Sequence, residues 1–179
     1  MKFRFPFARY PLLDAHCHGV VTHDLTDTEF EALASESRLP VRPGCSQLDS
    51  PIGLAIRRWC APVLDLPEHA PTAEYLRRRR ELGSAEVNRR LIRAAGLHSM
   101  LVDTGFGDDL ATRNELATLA AAPAHEVLRL ETLAETLPAE TLLAESPLDK
   151  GAAGEFAERF EAALDDLGSD VVAFKSILA

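Results

Sequence analysis

Two histidines one residue apart, His16 and His18, close the apolar run "LLDAHCHGVV". A strand alternates its side chains between two faces, so both imidazoles project to one side while Cys17 projects to the other. Neutral imidazole is a good ligand for zinc and its divalent neighbours, and two rings converging on one spot point to a metal. The alternative is a pair of polar residues finishing a strand, hydrogen-bonded to Asp14 or to backbone. Catalytic zinc generally has three protein ligands plus a water, so a metal site here needs ligands from later segments.

Charged residues recur at the ends of three later β-leaning segments. Asp103 in "LHSMLVDTGF" is a candidate catalytic group, or a cap for the turn "DTGFGDD". In "AHEVLRLE", Arg129 and Glu131 alternate with Leu128 and Leu130 and are read as sharing one strand face. Arg129 is then a candidate for binding a substrate carboxylate and Glu131 for a catalytic acid–base role; an internal salt bridge or a helix-start contact is the alternative. Lys175 in "DVVAFKSILA" shares its face with Ala173 and Ile177. His23 follows the histidine pair closely and is a candidate substrate contact. His98 and His125 sit at strand beginnings, away from the chemistry, and His69 reads as a loop residue. Cys17 reads as a packed thiol, and Trp59 and Cys60 as cap or helix core.

These residues need a scaffold, and the pattern supplies four strands: "PLLDAHCHG", residues 97–106, 124–131 and 170–179. Helical stretches separate them. "TDTEFEALASES" opens with the Thr26 to Glu29 spacing of a capping box, and "LATRNELATLAA" follows the second strand. "TLAETLPAETLLAES" is interrupted by Pro138. In "DKGAAGEFAERFEAALDDLG", Phe156, Phe160, Ala163, Leu164 and Leu167 fall on one face and Gly168 is placed to end the helix. Strands alternating with helices call for a parallel sheet joined by right-handed crossovers. Residues 20–96 form a long excursion between the first two strands, turn-rich at first and then helical, plausible as a cap over the ligand-binding end. Four βα units fit an open doubly wound sheet or part of a (β/α)8 barrel, and a whole barrel needs about 250 residues.

The chain has 179 residues, 46% of them hydrophobic, enough for one sizeable core. Its net charge of -9 opposes nonspecific attraction to nucleic acid or anionic membrane, so the expected partner is a small-molecule substrate. The run Arg77 to Arg80 does not alter this, because successive helical residues point about 100° apart and cannot make one basic stripe. Three cysteines without pairing or CxxC spacing imply free thiols. No apolar run is long enough to span a bilayer, and "MKFRFPFARY" lacks the apolar centre of a secretory signal, so a cytoplasmic location is expected.

"LLDAHCHG" resembles the first-strand His-x-His signature of the amidohydrolase superfamily, and "VVAFKSILA" resembles its fourth strand, where many members carry a lysine ligand. With "LVDTGF" and "VLRLE" between them, the chain most resembles the amidohydrolase-related branch whose members occur alone or fused to glutamine-synthetase-like domains. The resemblance covers nearly the whole chain and corresponds to the first half of that fold. It implies an α/β partial TIM barrel of about four parallel strands, with residues 20–96 an elaborated connection after the first. It also implies a divalent metal, zinc foremost, held by His16, His18 and Lys175, the last as a carbamate if it is to offer oxygen ligands. The activity implied is hydrolysis of an amide or related C–N bond; nonoxidative decarboxylation is the alternative within the superfamily. The remaining ligands of that family follow later strands, so the 179-residue chain alone is expected to be incomplete and inactive. A noncatalytic association module, whose exposed edges on the first and fourth strands favour partner pairing or aggregation, is the reading from a different class, and a homo-oligomer is a further partner expectation.

Overall fold

A computed structural model describes residues 10–35, 41–107, 109–137 and 150–178. The chain forms two compact units, one comprising residues up to Gly19, His98–Ala117 and those from Ala122 onward, the other Val20–Leu97 with Thr118–Ala121.

The first unit is built on a four-stranded parallel sheet in the order β1-β2-β3-β4, flanked by helices. The strands are β1 (Leu12–Cys17), β2 (Leu97–Asp103), β3 (Ala124–Arg129) and β4 (Val171–Lys175). Sequence order equals spatial order, as expected when each crossover helix returns the chain to the adjacent position. The register sets Asp103 beside Val127, Val127 beside Ala173 and Arg129 beside Lys175. Period-2 alternation therefore puts Asp103, Arg129 and Lys175 on one face at the C-terminal strand ends. Met100, Val102, Val127, Ala111 and Leu116 are buried in this unit. On β4, Val171, Ala173 and Lys175 are half-buried while Val172 and Phe174 are exposed.

Two of the unit's helices lie where the sequence pattern places them. Before α4 (Arg113–Ala120), Thr112 accepts from the Glu115 amide while the Glu115 carboxylate accepts from the Thr112 amide, a reciprocal pair that satisfies two otherwise orphaned donors. In α6 (Lys150–Asp165) the face formed by Phe156, Phe160, Ala163 and Leu164, with Leu167 just beyond, is half-buried between exposed neighbours, as its spacing requires. The helix stops at Asp165, ahead of Gly168, so that glycine is not its terminator. Pro138 and residues 139–149 lie outside the described residues.

All four strands end short of the expected spans, and one of these ends matters for the chemistry. The third strand stops at Arg129, and α5 (Leu130–Thr136) starts directly after it. Glu131 is thus in the first turn of a helix and does not share a strand face with Arg129. No Gly or Pro marks this junction, and Leu130 fits either periodicity, two residues from Leu128 as on a strand face and three from Leu133 as on a helix face.

The second unit has its own core of Leu48, Ala61, Leu64, Ala70, Tyr75, Leu76 and Val87. It contains α1 (Asp27–Leu33), α2 (Pro51–Trp59) and the long α3 (Thr72–Ala94). The Thr26/Glu29 capping box forms at the start of α1, and Ser50 caps α2 ahead of Pro51. Trp59 is not core: it is 67% exposed, with the Arg58 guanidinium 4.8 Å from its ring centroid, while Gly53, Ile56 and Cys60 occupy the inward face. The arginine run is dispersed around α3. Arg77 pairs with Glu81, Arg78 with Asp65 and Arg80 with Asp27, and Arg79 lies over the Phe30 ring. Among the described residues no helix is long and apolar enough to cross a membrane.

Candidate metal centre

His16 lies on β1 and His18 one residue past its end, so the pair stands at the C-terminal edge of the sheet. Their ring centroids are 4.9 Å apart with the planes at 82°. Between them Cys17 turns away, its thiol donating to the Leu101 carbonyl at 3.5 Å. Burial first, and Asp14 second, push that thiol up to about 11.

His18 Nδ1 lies 3.2 Å from the Asp103 carbonyl oxygen. A carbonyl has no proton to give, so Nδ1 carries the hydrogen and, in the neutral ring, Nε2 keeps its lone pair for a metal. Metal-ligating histidines commonly have such a donor bond on the other nitrogen. Phe106 stacks on the same ring, centroids 4.3 Å apart, which further fixes its orientation.

Asp103 is the buried centre of the arrangement, 1% exposed. Its Oδ2 accepts from Arg129 at 2.7 Å and from Lys175 at 2.9 Å, and its Oδ1 accepts from the Gly105 amide at 3.1 Å. Desolvation pushes its pKa up, but the bonds from Arg129, Lys175 and Gly105 outweigh it and hold the carboxylate down at about 2. Lys175 Nζ also stands 3.2 Å from His16 Nε2, and an ammonium has only donors, so the imidazole nitrogen accepts.

One potential ligand atom each from His16, His18 and Asp103 lies within 4.8 Å of the others. Two imidazoles and a carboxylate form a donor set that suits zinc and related divalent cations, so the residues present fit a metal. Beside the cluster, Gly19, Phe106, Leu110, Thr112 and Arg113 help line a cavity of about 300 Å³ that reaches Asp103.

The sequence candidates thus separate. His16, His18, Asp103, Arg129 and Lys175 come together. Glu131 points its Oε1 at the segment after β4, accepting from Ser176 Oγ at 2.5 Å and the Ile177 amide at 2.9 Å. His23 belongs to the second unit. His98 is exposed near the start of β2, His125 is the second residue of β3, and His69 lies in a loop with φ 60°. Sequence reasoning passed over Phe106 and Ser176. The Asp–x–x–Phe spacing that brings Phe106 back over the strand ends carries no periodic signal.

No protein-family model matches the chain, and no curated protein matches it. Among solved structures the chain is similar to a crystal structure of a protein assigned as a metal-dependent hydrolase from Lactobacillus casei ATCC 334. The TM-score is 0.56 at 24% sequence identity, over 96% of this chain and 43% of that one. The likeness establishes a shared α/β fold of barrel-like kind, of which this chain spans less than half the neighbour's length.

Proposed function

We propose that this chain is the N-terminal half of an amidohydrolase-type barrel domain from a metal-dependent hydrolase, with residues 20–96 an elaborated connection between β1 and β2. The observation that carries the reading is the pair His16 and His18, side by side at the C-terminal end of β1, with Nδ1 of His18 committed to a carbonyl. Active sites of parallel α/β barrels lie at that end of the strands. The name carried by the structural neighbour supports the same class.

His16 and His18 hold the divalent cation, zinc foremost. A cation bound there supplies a water of lowered pKa and polarises a substrate carbonyl, the requirements for cleaving an amide or related C–N bond of a small molecule. The chain's own residues set the stage. Phe106 and the Asp103 carbonyl fix the His18 ring, and Asp103 holds Arg129 and Lys175 at the floor. The further ligands expected of this class follow later strands of such a barrel.

Metal analysis tests this directly. Wild-type chain dialysed against zinc is expected to retain about one equivalent, and His16→Ala and His18→Ala each to lose most of it. Unchanged zinc content in both variants would remove the basis for the hydrolase reading.

A further inference from the structure

Three residues converge as potential metal ligands, but Asp103 differs from the two histidines in what already surrounds it. Both of its oxygens are engaged, Oδ2 by two cations and Oδ1 by an amide. A divalent cation on Oδ2 would set three positive groups around one oxygen. The side chain is also fully buried, whereas His16 is exposed and His18 is 28% exposed. Meanwhile Asp103 reaches both imidazoles by separate routes: its carbonyl takes His18 Nδ1, and its carboxylate holds the Lys175 ammonium that faces His16 Nε2.

We propose that Asp103 is a positioning residue of the metal centre and not a ligand: its carboxylate pairs with the Lys175 ammonium beside His16, so that a cation taken by His16 and His18, on displacing Lys175 from His16 Nε2, meets a charge already balanced. The inference rests on the metal-binding reading above. Arg129 belongs to the same device, since it secures Asp103 from the neighbouring strand, and its own Nε is buried without a hydrogen-bond partner. The Lys175 ammonium already donates to His16 Nε2; loss of the carboxylate removes its balancing charge and its other partner, so it holds the Nε2 lone pair against the metal more firmly and repels the cation more strongly.

Cobalt(II) titration of the chain separates the two roles, because the visible bands report ligand type and number while the titration reports affinity. Asp103→Asn preserves the shape and the acceptor for the Gly105 amide. It is expected to weaken cobalt binding about ten- to a hundredfold, the usual effect of an outer-shell partner, with stoichiometry and band positions unchanged. Adding Lys175→Met to Asp103→Asn is expected to recover most of that loss, since no unbalanced ammonium remains. Shifted bands without recovery, or cobalt affinity equal to wild type in Asp103→Asn, would overturn the proposal. If Asp103→Asn does not fold, a crystal structure of the wild-type cobalt adduct decides. Asp103 still paired with Arg129 and Lys175 and away from the metal supports it; an oxygen at bonding distance, about 2.0–2.2 Å for carboxylate ligands of this size class, overturns it. Failure of the underlying reading has a different signature: cobalt binding absent in wild type, or unchanged in both His16→Ala and His18→Ala.

Discussion

Lys175 on β4 touches His16 on β1, Nζ to Nε2 at 3.2 Å, although these are the two outermost strands of the sheet. Neighbouring strands lie about 4.8 Å apart, so three steps separate β1 from β4 by roughly 14 Å in a flat sheet. Side chains standing perpendicular to a flat sheet would not converge over that span. The contact therefore requires a face that is concave across all four strands, the curvature of a barrel segment, and this concavity gathers one residue from each strand end into a single site.

Acid should dismantle that gathering in metal-free protein. Asp103 is held at about 2, below its ordinary 3.8, so its contribution is fully present above pH 4 and is lost as pH falls towards 2. The shift corresponds to about 2 kcal/mol. Urea unfolding of EDTA-treated chain at pH 7, 4 and 3 is expected to show stability falling over the lowest interval, more steeply in wild type than in Asp103→Asn. Equal slopes in the two proteins would refute the assignment.

How much of this the amino-acid order disclosed depends on the range of the interaction. The His-x-His pair was legible because strand periodicity is local, and so was the half-buried face of α6 marked by Phe156 and Phe160. The hub role of Asp103 was not. Its partners Arg129 and Lys175 lie 26 and 72 residues away, and nothing in "LVDTGF" distinguishes a turn cap from a buried ion-pair centre. Glu131 was misplaced for a different reason: strand passes into helix without a breaker residue, so alternation was read one step too far.

Glu131 provides a second measurable consequence. Its carboxylate ties the chain just past Lys175 through Ser176 and the Ile177 amide, and the Ser176 bond, ahead of other influences, lowers its pKa. Glu131→Ala is expected to raise the hydrogen-exchange rate of the Ile177 amide at least tenfold while leaving Val102 in β2 protected. Exchange unchanged at Ile177 would show that the latch does not restrain this segment.

The three thiols should rank by burial. Cys45 is exposed, whereas Cys17 and Cys60 are half-buried and both are raised by desolvation, Cys17 to about 11. At pH 8 a thiol of that pKa is thiolate in about one molecule in a thousand, and the thiolate is the reactive form. A disulfide reagent is expected to titrate one cysteine quickly in folded chain and all three in urea. Rapid loss of Cys17, read by mass spectrometry, would contradict its packing against Leu101.

Gly19 sits where the metal strand meets the segment entering α4. A Cβ there would fall 2.3 Å from the Ala111 carbonyl oxygen and 2.7 Å from Leu110 Cβ, so backbone would have to move. Gly19→Ala is expected to cost about 1–3 kcal/mol, as overpacking does, and to weaken metal binding because His18 is the adjacent residue. A variant with wild-type stability and affinity would mean that this close approach is not needed.

Gly83 makes the corresponding test in the second unit. It breaks α3 with φ 76° and ψ 159°, a conformation nearly exclusive to glycine. The break is used: the Ser84 amide donates to Asp24 Oδ1 at 2.6 Å, Ser84 Oγ to the Thr22 carbonyl at 2.8 Å, and Asn88 Nδ2 to the Val21 carbonyl at 2.7 Å. Asp24 thereby caps the helical half that follows the break and straps residues 21–24 onto it, and the Ser84 bonds lower its pKa. Gly83→Ala retains these partners but forces a side chain into the strained backbone, so it is expected to destabilise the chain by about 1–3 kcal/mol in urea unfolding. Asp24→Ala should leave the break itself intact and instead free the Ser84 amide for exchange. Continuous helical exchange protection through residues 82–86 in Gly83→Ala would show that the break is dispensable and that the strap follows from it only by proximity.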